Sequence, residues 1–301
     1  MNKLLKCSVG VIVYNEAANI GKLLEALITQ KTELTEIEEI IVVSSACTDR
    51  TDEIVQQYAE KESKIKLITE KERGGKSSAI NKFIKAARTD LLIIESGDTI
   101  PAEDTVEKLI RPFQDSRIGI TGGRPSPEND PRSFIGYSVC LLWNLHHQMA
   151  LIFPKLGEMV AFRKIFRAIP SESAVDEASI EAIMKQEGFL IKYIPDAIVY
   201  NKGPDNLPDF VKQRRRIQAG HLWLKKNNDY SVASQDKGLL LKIAIEEFKK
   251  DKKKIFFLFG TAIVEMFSRF LGWYDCKILK KNPFKWDIAN STKNLEKEVV
   301  K

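Results

Sequence analysis

Apolar side chains along the first 120 residues alternate between two spacings. Residues 8–13 form a short apolar run, the pattern of a strand buried on both faces. Ala17, Ile20, Leu23, Leu24, Leu27 and Ile28 then recur at the spacing of an amphipathic helix. The alternation continues with a strand at 40–43, a helix at 49–61, a strand at 65–69 and a helix at 76–87. A strand at 91–94 and a helix at 104–113 follow, and a further strand opens at 118–120. Such alternation predicts right-handed βαβ crossovers and a mainly parallel sheet.

Ligands of such sheets bind beyond the carboxyl ends of the strands. That rule singles out Tyr14-Asn15-Glu16, the stretch from Ser44 through Cys47 and Thr48 to Asp49, and Ser96-Gly97-Asp98. Residues 122–136 are rich in Gly, Pro and Asp and read as a loop. A mixed apolar and aromatic stretch covers 134–153, a strand is expected at 191–200, and a helix carrying Arg214-Arg215-Arg216 at 207–224.

The tail changes character. Residues 249–254 are a basic run, and 255–274 are almost all apolar apart from Glu265 and Arg269. A spanning helix needs about 20 apolar residues, but these two charges lie four apart on one helical face. Two readings stand. The segment lies in a membrane interface, or it packs on the main domain with Glu265 and Arg269 outward.

Composition narrows the classes. The chain has 301 residues, 29% charged, with a formal net charge of +6. That length suits one large α/β domain with an appendage, or two modest domains. The basic bias suits phosphates, an anionic membrane or nucleic acid. Nucleic acid is poorly supported, because the basic residues are not interleaved with aromatics along one element. The four cysteines form no CxxC pair, so a thiolate zinc site is not expected. Lys3 and Lys6 break any apolar leader run, which makes a reducing cytoplasm the default location.

Several residues carry candidate chemistry. Asp98 ends a buried strand, where a carboxylate either holds Mg²⁺ or Mn²⁺ or caps the next helix. Asp176-Glu177 opens a helical pattern; the pair suits the helix dipole, or one acid serves as a general base. Arg214-Arg215-Arg216 cannot share one helical face, so a solvated basic face competes with a contact to pyrophosphate. Arg73-Gly74-Gly75-Lys76-Ser77 ends like a P-loop, but Glu70 stands where the first glycine is required. No GxGxxG is present, which argues against a dinucleotide dehydrogenase. His146 and His147 point about 100° apart on a helix, so they do not readily share a metal.

Taken together, these pieces resemble the family 2 glycosyltransferases of the GT-A fold. Val13-Tyr14-Asn15-Glu16 is similar to that family's first strand and donor loop, and Cys47 to Thr51 to its second turn. Gly75 to Asn81 is similar to its glycine–lysine helix start, and Ser96-Gly97-Asp98 sits at its DxD metal motif. The stretch from Gly157 and Glu158 to Arg163 is similar to its acceptor-side segment, Asp176-Glu177 to its ED pair, and Gln213 to Arg216 to QxxR of its QxxRW motif. The resemblance covers about residues 7–225. It departs from the family at Ser44-Ser45, where acids are usual, at Ser96, in the reversed acid pair, and at Ile217 in place of tryptophan.

The resemblance implies a GT-A-type, Rossmann-like sheet over residues 1–225, with a nucleotide-sugar half at 1–120 and an acceptor half at 121–225, followed by a helical extension at 226–301. It implies an inverting, metal-dependent transferase that uses a UDP- or GDP-sugar, with Mg²⁺ or Mn²⁺ at Asp98. Glu177 or Asp176 would be the base. Tyr14, Asn15, Glu16, Ser45, Asp49, Lys76, Gly97, Asp98, Gln213 and Arg216 would hold the donor, and Gly157, Glu158 and His147 the acceptor. The acceptor is a hydroxyl or phosphate, lipid-linked if 249–274 meets the inner face of the cell membrane. The competing expectations are a noncatalytic sugar-nucleotide-binding relative and a sugar nucleotidyltransferase. The second lacks its glycine-rich signature after the first strand.

Overall fold

A computed structural model describes residues 4–171, 173, 175–228, 238, 255–280, 292 and 295. The expected alternation appears as β1 (Leu5–Val13), α1 (Ile20–Ile28), β2 (Thr35–Ser44), α2 (Thr51–Lys61), β3 (Ile65–Thr69), α3 (Lys76–Ala86) and β4 (Leu91–Ser96). Then come β5 (Thr99–Pro101), α4 (Thr105–Ile110), β6 (Ile118–Pro127), α5 (Phe134–Ile152), β7 (Val160–Arg163), α6 (Asp176–Gln186), β8 (Leu190–Asn201), α7 (Leu207–Asn228) and α8 (Ile255–Lys277).

The strands form one sheet in the order β3-β2-β1-β4-β7-β6-β8-β5. β1, β2, β3 and β4 run parallel, and β7 lies antiparallel between β4 and β6. Alternate residues of β1 face opposite layers. Cys7, Val9, Val11 and Val13 pack with α1, α2 and α4, while Ile12 packs with α3 and α6. These two apolar layers fix the sheet, and its carboxyl edge then collects the loops after β1, β2 and β4.

Four local expectations need correction. The stretch read as a loop at 122–136 continues β6 to Pro127, in register with β8 from Arg124↔Ile198 to Pro127↔Asn201. Pro125 and Pro127 are tolerated because the pairing with β7 ends at Gly122, which leaves one side of the strand open. The helix expected at 104–113 is α4 followed by a 3₁₀ turn at Arg111–Gln114, where Pro112 lacks an N–H. β5 and β7 are too short for their periodicity to register.

The fourth correction concerns α8, where Glu265 and Arg269 face inward. Thr261, Glu265, Ser268 and Gly272 are buried, whereas Phe256, Phe259, Ile263, Met266, Phe270 and Trp273 are exposed. Both sets follow helical spacing, so the helix is inside out: polar stripe in, apolar stripe out. The buried stripe meets α7 through Arg214, whose Nε and Nη2 each donate to Glu265 at 2.7 Å. Arg269 Nε donates to the same carboxylate at 2.7 Å. Gly272 permits the approach, because a Cβ there would lie 2.4 Å from the Arg215 carbonyl oxygen. The basic run at 249–254 lies outside the described residues.

Candidate active site

A cleft of about 720 Å³ opens along the carboxyl edge of β1 and β4. Its size is that of a small-ligand site. Tyr14, Glu16, Ser45, Lys76, Gly97, Asp98, Gly157, Glu158, Asp176, Glu177, Gln213 and Arg216 all line it. Thus the loops after β1, β2 and β4, the first turns of α3 and α6, the approach to β7 and the middle of α7 converge on one space.

Gly97 is required by crowding: a Cβ there would lie 2.7 Å from Val13 Cγ1 and 2.8 Å from Glu16 Cγ. The backbone around the cleft is also unusual. Asn15, Ala46 and Met159 have positive φ without being glycine, a conformation costing about 1 kcal/mol or more each.

Asn15 and Asp49 are not among the lining residues; they stitch the rim together. Asn15 Oδ1 accepts from the Thr48 N–H at 2.8 Å, and Asp49 accepts from the N–H groups of Ala17 and Thr51. His147 also lies off the cleft, with Nδ1 2.9 Å from the Tyr193 hydroxyl. Its neighbour His146, on the adjacent face of α5, lines the cleft instead. Burial pushes the His146 imidazole down to about 3, so it is neutral near pH 7.

The acid pair divides in two. Lys76 Nζ lies 2.7 Å from Glu177 Oε1, while Asp176 Oδ1 accepts from Ser77 Oγ at 2.5 Å. Burial raises both carboxyls. For Glu177 the Lys76 ammonium outweighs it and holds the group below its usual value; Asp176 stays up at about 6. Glu158 is pushed up to about 7 by burial and by the charge of Asp98, against Lys76.

The arginine triplet does not form a solvated basic face. Arg214 pairs with Glu265, and Arg215 Nε donates to Asp275 at 2.5 Å. Arg216 turns into the cleft, where burial lowers it to about 10 against the charges of Asp98, Glu158 and Glu177. One arginine of three therefore faces the acidic end.

Two further lining groups escaped the sequence. Arg73 Cζ sits 4.0 Å over the Tyr14 ring, a cation–π contact. The glycines beside it end like a P-loop, but only the fold brings Arg73 to Tyr14. Lys155 lines the far end, and nothing in its local sequence marks it.

Among the described residues no three His, Cys, Asp or Glu side chains converge on a metal-sized point. Asp98 is the kind of oxygen donor that Mg²⁺ or Mn²⁺ takes, with remaining ligands from phosphate oxygens and water.

The model of the family described as glycosyl transferase family 2 matches residues 8–183, more than half of the chain. The probable glycosyltransferase YdaM of Bacillus subtilis (strain 168) is 25% identical over 273 residues, covering 85% of this chain and 61% of that protein. The poly-beta-1,6-N-acetyl-D-glucosamine synthase of Staphylococcus aureus (strain COL) is 26% identical over 226 residues, covering 69% of this chain and 53% of that protein. The chain thus spans 53–61% of the length of these curated relatives. Among solved structures, the mannosyltransferase PcManGT from Pyrobaculum calidifontis, in complex with GDP-Man and Mn²⁺, superimposes with a TM-score of 0.59 at 21% identity. That match covers 92% of this chain and 81% of PcManGT. Staphylococcus aureus TarS gives 0.52 at 19% identity, covering 81% of this chain and 44% of TarS. Both structures share the GT-A architecture.

Proposed function

The chain belongs to glycosyl transferase family 2, and from that premise we propose that it moves a sugar, with inversion, from a nucleotide-diphosphate donor to an acceptor hydroxyl or phosphate. One observation carries the reading: Lys76, Asp98, Glu177 and Arg216, from four separate elements, line one cleft.

The nucleotide base enters beside Tyr14 and Arg73, and the diphosphate lies toward Lys76 and Arg216. Asp98 would hold Mg²⁺ or Mn²⁺, as the complex of PcManGT with GDP-Man and Mn²⁺ suggests by analogy. A cation so bound would neutralise charge developing on the leaving diphosphate. Arg216 adds a fixed positive charge on the same side. Glu177 takes the acceptor proton, because it is the more exposed acid of the pair, whereas Asp176 is buried against Ser77. Asp176, 2% exposed and bound to Ser77, orients the first turn of α6. Glu158, Gly157 and His146 border the acceptor.

A cytoplasmic chain seated on the inner face of a membrane is part of this reading. The exposed apolar stripe of α8 supports it, since soluble surfaces rarely show such a stripe uncovered. α8 is long and apolar enough to cross a bilayer by length and composition. Its buried bond to Arg214 favours lying on the membrane over spanning it.

A second reading, a noncatalytic sugar-nucleotide-binding protein, is favoured by Ser96 at the first metal-motif position. Thermal shift with UDP- and GDP-sugars, with and without Mn²⁺, followed by product analysis, separates the two. The transferase predicts a Mn²⁺-dependent rise in midpoint that Asp98→Ala abolishes, and sugar release to an acceptor or to water. A shift without any turnover would establish the binding protein instead.

A further inference from the structure

The turn after β2 holds no acid before Asp49, whose carboxylate is engaged by the N–H groups of Ala17 and Thr51. Ser45 lines the cleft from that turn, and its N–H donates at 2.9 Å to the carbonyl of Val13, the residue before Tyr14. The hydroxyl does not turn freely, because Ser45 Oγ donates to Glu70 Oε2 at 2.6 Å. Glu70 follows β3 directly and is 6% exposed. Its other oxygen is held from α3. Ser78 Oγ donates to Oε1 at 2.8 Å, and Lys82 Nζ lies 3.2 Å from the same atom. Gly74 leaves room for this bond, since a Cβ there would lie 2.5 Å from Ser78 Oγ. An anion that the turn itself lacks is therefore fixed against Ser45 by a neighbouring strand and helix.

A serine hydroxyl has one proton and two acceptor lone pairs. Ser45 gives its proton to a carboxylate, so it offers a ligand only lone pairs, strengthened by that polarisation. Such a group is complementary to an N–H and leaves a second acceptor unpaired. Tyr14, with Arg73 over its ring, lines the same cleft.

We propose that Ser45, its proton held by Glu70, accepts a hydrogen bond from the ring N–H of the donor's base, with Glu70 as the positioning residue. The proposal rests on the transferase reading and names what the base must carry. That is a ring N–H beside a carbonyl, as in uracil or guanine, and not the bare ring nitrogen of cytosine or adenine.

Calorimetric titration of the full chain with UDP, CDP, GDP and ADP, each with Mn²⁺, tests it. The tighter of UDP and GDP names the base. It is expected to exceed its counterpart, CDP or ADP, at least about tenfold, since the counterpart sets lone pair against lone pair. Ser45→Ala should remove most of that preference. Glu70→Gln should remove it by another route. Lys82 and Ser78 keep the amide oxygen at the Oε1 position, so the amide N–H₂ faces Ser45 and donates to it. The serine proton is then free for the bare ring nitrogen, and the counterpart nucleotide should gain. A merely structural role for Glu70 would weaken both nucleotides alike and leave their ratio unchanged, which would overturn its part. If Glu70→Gln does not fold, Ser45→Ala carries the test, and an unchanged ratio there would overturn the assignment. Equal binding of counterparts by the unaltered chain overturns the assignment alone. Absence of binding by all four removes the donor reading and this proposal with it.

Discussion

Lys76 Nζ and Glu177 Oε1 lie 2.7 Å apart, joining the first turns of two helices 101 positions apart in the chain. The pair gives two adjacent acids different surroundings. Glu177 takes the Lys76 ammonium, which holds its carboxyl below the usual value against burial. Asp176 turns to Ser77 and rises to about 6. Both are carboxylates at one helix N-terminus, and the difference lies wholly in what α3 presents to each.

Replacing Glu177 by Gln keeps the shape and removes the proposed base. Turnover should fall by roughly 10²–10⁴, while the dissociation constant for the donor nucleotide changes little. Steady-state kinetics beside calorimetric nucleotide binding checks both halves. Full turnover would transfer the role to Asp176.

Lys76→Met should raise the Glu177 carboxyl, because the ammonium is what holds it down. The base works deprotonated, so activity is lost as pH falls through its pKa. The acidic limb of the kcat/KM profile should therefore move to higher pH in the variant. A limb that stays in place would mean that another group titrates there.

Glu265→Ala would strand Arg214 and Arg269 in the seam between α7 and α8. Removing one partner of such a cluster should cost about 2–3 kcal/mol, less than for a fully dry pair. The Glu265 carboxyl is held down at about 2 from 4.5 by the two arginines, against burial. A depressed carboxyl stabilises fully above its ordinary value and loses that contribution as pH falls toward about 2. Urea melts of the two proteins should accordingly converge on acidification.

Phe259→Glu with Phe270→Glu places charge on the exposed stripe and touches nothing buried. The melting temperature should hold, while flotation with anionic vesicles at low salt should be lost. Unchanged flotation would remove α8 from the membrane contact.

The repeated strand–helix spacing of the first 120 residues determined the parallel half of the sheet, because buried strands and amphipathic helices impose their periods locally. It also placed Tyr14 and Asp98 at the carboxyl edge, since position after a strand is a local property. Tertiary contact decided the rest. Whether Glu265 faces in or out depends on Arg214, some 51 positions away, and helical spacing is the same for both answers. Which of three arginines faces the acidic end, which histidine of two lines the cleft, and which acid of two meets Lys76 are each set by the tertiary structure. Lys155 is marked by no motif, because its place among Arg214, Glu181 and Arg269 is set by elements distant in the chain.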